Sequence, residues 1–201
     1  MVTTLEAPII DESNELWLDI ESMDDDAFYD FCRKNNHLKF ERNSDGNIII
    51  MSNTGGTTGE YNAEILADFV FWNRKNKLGH IFDSSTAFKL ANGAVRSADV
   101  TWVSAERWNS LTKEQREKFP PIAPDFVLEL MSANDKLKKM QQKMIEYIEN
   151  GVKLAWLIDP KEETVYIYRA NGTIGEISGF DNKLSGEGIL PDFELDLAIL
   201  K

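Results

Sequence analysis

The sequence predicts an α/β fold in which one mixed β-sheet lies between helices. Three features point there. Stretches 60–77 and 136–150 repeat apolar residues at helical spacing, with strand-length apolar runs between and after them. The run Phe126-Val127-Leu128-Glu129-Leu130-Met131 reads as a strand covered on both faces. Glycine-bearing turns at 43–47 and 171–172 mark hairpins. No repeat, low-complexity tract or internal linker interrupts the 201 residues. They are expected to form one domain, with an N-terminal extension over 1–24, a core over about 25–178 and a tail over about 179–201.

Residues 1–14 read as irregular. Over 16–37, Asp24 to Asp26 place acid at a helix start, and Ala27, Phe28, Phe31 and Cys32 recur at helical spacing. Residues 38–42 and 48–51 flank a Gly46 turn. The segment 52–60 holds three glycines in a spacing that matches neither a P-loop nor a dinucleotide fingerprint, so it reads as a connector that could line a site. The helix over 60–77 buries Ile65, Leu66, Phe69, Val70 and Trp72, while Glu60, Glu64 and Asp68 share another face. The plain reading of that face is solvation; the functional one sets Glu64 first, then Glu60, at the border of an active site. Strands are expected over 80–83, 86–90 and 97–103, with Asp99 inside the third. Ser104 reads as the cap of a short helix, and Thr112 with Gln115 as a capping box. Pro120, Pro121 and Pro124 hold the approach to the central strand extended. Ser132 and Asp135 read as caps of the helix that follows, whose buried stripe is Leu137, Met140, Met144 and Ile148 and whose stop is Gly151. A strand over 153–159 and a hairpin over 164–177 come next, and the apolar end of the tail is expected to close a sheet edge.

Composition removes several classes. With 22 basic and 34 acidic residues the net charge is -12, which opposes non-specific adhesion to nucleic acid or anionic membrane while leaving room for a local basic channel. Cys32 is the sole cysteine, so neither an internal disulfide nor a cysteine zinc cluster can form. His37 and His80 lie too far apart for a zinc-protease pattern. No apolar run reaches transmembrane length and no basic-then-apolar signal opens the chain, so a cytoplasmic protein without a membrane partner is expected.

The residues with chemistry are the acids placed in strands. A carboxylate such as Glu129 inside an apolar strand is costly unless a cation or donors meet it. If the strands of Asp99 and Glu129 are neighbours, the pair repels itself until a cation binds. Magnesium takes such oxygen ligands, and it can acidify a bound water and stabilise a phosphoryl oxygen. Lys136, Lys139 and Lys143 share a face of the next helix, and Lys143 borders its buried stripe, from which its stem could carry the ammonium to the carboxylates. Read singly, each has a bland alternative. Asp99 could pair with Arg96, Glu129 could sit in a structural ion pair, and Lys136, Lys138 and Lys139 could form a solvated face. Asp125 is expected to steady a turn, Tyr147 to pack at the core edge, and Trp72, Trp102, Trp108 and Trp156 to fill the core.

Taken together, Ser97-Ala98-Asp99, Pro124-Asp125-Phe126-Val127-Leu128-Glu129-Leu130-Met131-Ser132, Lys143 with Tyr147 and Gly151-Val152, and Trp156-Leu157-Ile158-Asp159-Pro160 resemble the Uma family of putative restriction endonucleases in the PD-(D/E)XK nuclease superfamily. The Thr54-Gly55-Gly56 and Phe82 to Leu90 segments fit as well, and the resemblance runs from about residue 25 to the C-terminus. It implies a restriction-endonuclease-like core, a central mixed β-sheet flanked by helices. It implies that Asp99, Glu129 and the carbonyl of Leu130 ligate Mg2+ or Mn2+, and that metal-activated water hydrolyses a DNA phosphodiester. The superfamily lysine usually follows the glutamate by two residues, where this chain has Met131; the family places it on the next helix, at Lys143. Ala98 stands where the pattern has proline. A homodimer is expected, since cutting both strands with one site per chain takes two chains. The alternative is a nuclease-fold binding or accessory protein with weak or lost cleavage, which the acidic charge favours.

Overall fold

The computed structural model describes residues 23–201 and the backbone of two short strands before them. In chain order the elements are β1 (Ile9–Ile10), β2 (Leu16–Leu18), α1 (Asp25–Lys34), β3 (Lys39–Arg42), β4 (Ile48–Met51), α2 (Gly56–Asn76), β5 (Gly79–Asp83), β6 (Phe88–Lys89), β7 (Val95–Arg96) and β8 (Val100–Ser104). There follow α3 (Ala105–Asn109), α4 (Lys113–Glu117), β9 (Phe126–Leu130), α5 (Leu137–Glu149), β10 (Leu154–Asp159), β11 (Thr164–Arg169), β12 (Ile174–Ser178), β13 (Lys183–Ser185), β14 (Glu194–Asp196) and a 3-10 turn, Leu197–Leu200.

The central sheet has the strand order β12-β11-β10-β9-β8-β5. Its β9–β10 pair is parallel and its other neighbours are antiparallel, so the expected mixed sheet is present. The parallel pair needs a crossover, which α5 supplies. Both β9 and β10 are buried along their whole length, as double coverage requires. On one face Phe126, Leu128, Leu130, Trp156 and Ile158 pack with Ile65, Phe69 and Trp72 of α2. On the other, Val127, Met131, Ala155 and Leu157 pack with Met144 and Tyr147 of α5. A second sheet, β1-β2-β4-β3-β7-β6, carries α1, whose Phe28 packs with Phe40, Ile48 and Val95.

Local signals set several boundaries. The Asp24 side chain accepts from the Ala27 amide at 2.8 Å and starts α1, and Thr112 and Gln115 form the expected capping box of α4. The hairpin at Gly46 forms as expected, β3 pairing with β4. Gly79 is required by close approach: a Cβ there would lie 2.3 Å from the Val103 carbonyl oxygen.

Six expectations change. The helix pattern over 16–37 shortens, because Leu16–Leu18 pairs with β4 and the Asp24 cap fixes the helix start. Of residues 1–14, Ile9–Ile10 forms β1 and the others lie outside the described residues. The 52–60 connector ends early, since α2 begins at Gly56: packing of its buried face outweighs the weak propensity of Gly56 and Gly59. The strand over 97–103 starts only at Val100, leaving Asp99 just before β8 instead of inside it. Asp135 accepts from the Ser132 amide at 2.6 Å, which shapes the loop, while α5 starts after Lys136 with no side-chain cap.

The sixth concerns the tail. Its Phe180, Leu184, Leu190, Phe193, Leu195, Leu197 and Leu200 are buried with α2 and β10, so it covers a sheet face and not an edge. The Phe193 ring lies 4.3 Å from Phe69 and 5.4 Å from Trp72. Phe193→Ala is expected to lower unfolding free energy by about 3–5 kcal/mol in urea titration. A tail outside the core would give a change within about 0.5 kcal/mol.

Candidate active site

Side chains alternate along β9, and Glu129 falls between Val127 and Met131, on the side that α5 covers. On the other side of the strand gap, the β8–β9 ladder ends with Val100 opposite Leu128. The next β9 amide facing β8 is that of Leu130, and it donates to Asp99 Oδ2 at 2.9 Å. The Asp99 carboxylate therefore closes the ladder where the two strands part. Its other oxygen faces the Asn62 side-chain amide of α2 at 3.5 Å.

Helix α5 reaches the same place. Lys143 Nζ lies 2.8 Å from Glu129 Oε1 and 3.0 Å from Glu41 Oε1 of β3. One helical turn on, Tyr147 donates its hydroxyl to Glu129 Oε1 at 3.1 Å. Glu41 is 2 % exposed and is held from three sides. The Ser97 amide donates to it at 3.0 Å, and Arg96 Nη1 lies 3.1 Å from its second oxygen. Arg96 Nε also donates to Glu146 of α5 at 2.7 Å.

Burial and charge then set the protonation states. Burial disfavours the Glu41 anion, but Lys143, Arg96 and the Ser97 amide overcome it and bring its pKa down to about 2. For Glu129 burial prevails: Lys143 opposes it, yet the charges of Asp99 and Glu41 add to it and the pKa rises to about 7. Burial also raises Asp99, against the pull of the Leu130 amide and Lys143. Lys143 is itself desolvated, but Glu129 and Glu41 hold its pKa well above the usual lysine value. It remains an ammonium throughout the working pH range.

Ionised, the group holds four carboxylates, those of Glu41, Asp99, Glu129 and Glu146, against two cations, Lys143 and Arg96. It lacks two positive charges, and the acids that go short are the hard oxygen donors Asp99 and Glu129. A divalent ion fits that deficit in charge and in ligand type. Among the described residues, no group of three or more His, Cys, Asp or Glu is placed to hold a metal ion.

The family model described as Uma2, putative restriction endonuclease, matches residues 25–198. The chain belongs to this family. A solved structure of a putative nuclease belonging to DUF820, from Anabaena variabilis, superposes with a TM-score of 0.68 at 20% identity, covering 80% of this chain and 88% of that one. At that identity the likeness shows a common fold. Comparison with curated proteins finds no match.

Within this Uma2 chain the structure brings Asp99, Glu129 and Lys143 together, and Leu130 joins them through its amide. It does not bring Glu64 to them. Glu64 is exposed and lines a shallow cleft with Thr57, Glu60, Tyr61, Ile199 and Lys201. The α2 residue that faces Asp99 is Asn62, about 200° around the helix from Glu64. Arg96 pairs with Glu41 and Glu146, which leaves no pairing with Asp99. Asp125 is a larger anchor than a turn residue: buried at 1 %, it accepts from the Ser104 amide at 2.8 Å and pairs with Arg107 and Lys153. It thus ties the start of β9 to β8 and β10. Tyr147 is buried as expected, but it also serves Glu129. Trp72, Trp102 and Trp156 are core residues.

Sequence reading missed Glu41. Its position in Lys39-Phe40-Glu41-Arg42 looks like the solvent side of an alternating strand, and its partners lie 55 and 102 residues away. Glu41→Ala is expected to destabilise by about 3–5 kcal/mol, since it leaves buried Arg96 and Lys143 short of a shared anion. The wild-type contribution of Glu41 is present above its unfolded pKa of about 4.5 and is lost as pH falls toward about 2. Urea titrations of wild type and Glu41→Ala should therefore converge in acid.

Glu129 has the opposite sign. Folded, it keeps a proton that the unfolded chain gives up near pH 4.5, so without divalent ions its contribution to stability falls as pH rises through about 7. Glu129→Gln is expected to flatten that fall, read as urea midpoints between pH 5 and pH 8. Parallel pH profiles for the two proteins would contradict the assignment.

Proposed function

We propose that this chain is a metal-dependent endonuclease that hydrolyses DNA phosphodiester bonds at Asp99, Glu129 and Lys143. The observation that carries the reading is the arrival of Lys143 at Glu129 from α5, although Met131 holds the strand position where a lysine usually stands. Membership of a family of putative restriction endonucleases supports it.

Asp99 and Glu129 would hold Mg2+ or Mn2+, with the Leu130 carbonyl as a further oxygen. When bound, such an ion acidifies water and draws electron density from a phosphoryl oxygen. The protein does the positioning. The Leu130 amide fixes Asp99 against rotation. Tyr147 and Lys143 orient Glu129 through one oxygen, Oε1. Lys143 cannot serve as a base, because two carboxylates keep it protonated. Its ammonium offsets charge developing on the phosphate and orients the attacking water. Glu41 holds the same ammonium from the β3 side, at 3.0 Å. Lys39 of β3, whose charge reaches Asp99, adds positive potential beside the site.

The net charge of -12 opposes approach of a polyanion, so cleavage is expected to be strongest at low ionic strength with millimolar divalent ion. The same charge favours the second reading, a nuclease-fold binding or accessory protein. No described helix is long and apolar enough to cross a membrane, and the enzyme is proposed to act in the cytoplasm as a homodimer, one site for each DNA strand.

Plasmid nicking in Mg2+ or Mn2+ tests the proposal. Asp99→Ala, Glu129→Ala and Lys143→Ala should each lower the rate by about 10²–10³. Glu64→Gln should cleave at a rate close to wild type. Binding of DNA by wild type without nicking under either ion would favour the accessory reading.

A further inference from the structure

We infer that Asn62 supplies a side-chain oxygen to the ion site held by Asp99 and Glu129. The inference rests on the metal-dependent reading above and extends it to a residue on a third element. Helix α2 presents Asn62 to the point where β8 and β9 part. Its Nδ2 lies 3.5 Å from Asp99 Oδ1, the oxygen that the Leu130 amide leaves alone. That contact is at the long limit of a hydrogen bond.

The other end of the amide is the stronger sign. Asn62 Oδ1 is buried and accepts no hydrogen bond. A buried acceptor without a partner is unfavourable, and such atoms gather where a ligand or ion belongs. Among the described residues, Asn62 is the one side chain with such an atom that also contacts a site carboxylate.

Ion chemistry gives the oxygen a use. Magnesium and manganese take six hard oxygens, and side-chain amide carbonyls qualify. Among the described residues, no third acidic or imidazole side chain joins Asp99 and Glu129 in a group placed to hold a metal ion. A neutral oxygen completes one more position without adding to the repulsion that already raises Glu129.

A rival role is that Asn62 merely steadies Asp99 by donating to it. Asn62→Asp separates the two, because it keeps a ligand oxygen and removes every donor. Asn62→Ala removes both and favours the helix, so the fold is retained. Mn2+ binding is read by electron paramagnetic resonance on the full chain, without DNA, with unfolding in EDTA as a fold control. Wild type should bind, Asp99→Ala should not, Asn62→Ala should bind about 10- to 100-fold more weakly, and Asn62→Asp at least as tightly as wild type. Asn62→Ala binding like wild type, or Asn62→Asp binding as weakly as Asn62→Ala, overturns the role of Asn62 and leaves the Asp99–Glu129 site standing. Wild type that binds no Mn2+ overturns both.

Discussion

One ammonium group shared between two buried carboxylates organises this protein. Lys143 answers Glu41 and Glu129 at once, at 3.0 and 2.8 Å. In a desolvated setting an unpaired charge is not tolerated, so the three elements that carry these residues are bound to one arrangement. Glu41 takes the larger share of positive charge, because Arg96 and the Ser97 amide also reach it. Glu129 is left with part of one cation and with Asp99 as a neighbour, and burial keeps its proton near neutral pH. The fold thereby stores a shortage of positive charge at one place.

The architecture exists around that place. The β9-α5-β10 crossover sets Glu129 on the strand and Lys143 on the helix that covers it, so carboxylate and ammonium arrive from one supersecondary unit. The second sheet contributes Glu41 and, through β7 and the segment after it, Arg96 and Ser97. Helix α2 comes from the opposite face and meets Asp99 through Asn62. On that face the tail fills the space between α2 and β10, and Asp125 pins β9 to its neighbours. Each contact restrains a carboxylate that would otherwise turn away from its neighbour or toward solvent.

Much of this was legible in the sequence where the cause is local. The Asp24 cap, the Thr112–Gln115 box, the Gly46 turn and the prolines before β9 all act over a few residues, and all mark true boundaries. Glu129 was legible because an acid in an apolar run contradicts its surroundings, and Lys143 because helical spacing ties it to a buried stripe. Glu41 was not, since its partners are fixed by sheet pairing across 55 and 102 residues. Glu64 was set first on the four-residue spacing of the acids, which does not encode how α2 is rotated about its axis; that rotation turns Asn62 towards Asp99. The tail misled for a similar reason: its apolar residues show that it packs, not which surface it covers.

The shared lysine and the site pair form one claim, that positive charge is deliberately short at Asp99 and Glu129 and that a divalent ion supplies it. Diffraction from crystals grown with manganese tests this most directly. The account predicts an anomalous difference peak within coordinating distance of both Asp99 and Glu129, with Lys143 still bridging Glu41 and Glu129. Manganese bound elsewhere, with the Asp99–Glu129 gap filled only by Lys143 or a rearranged side chain, would contradict it.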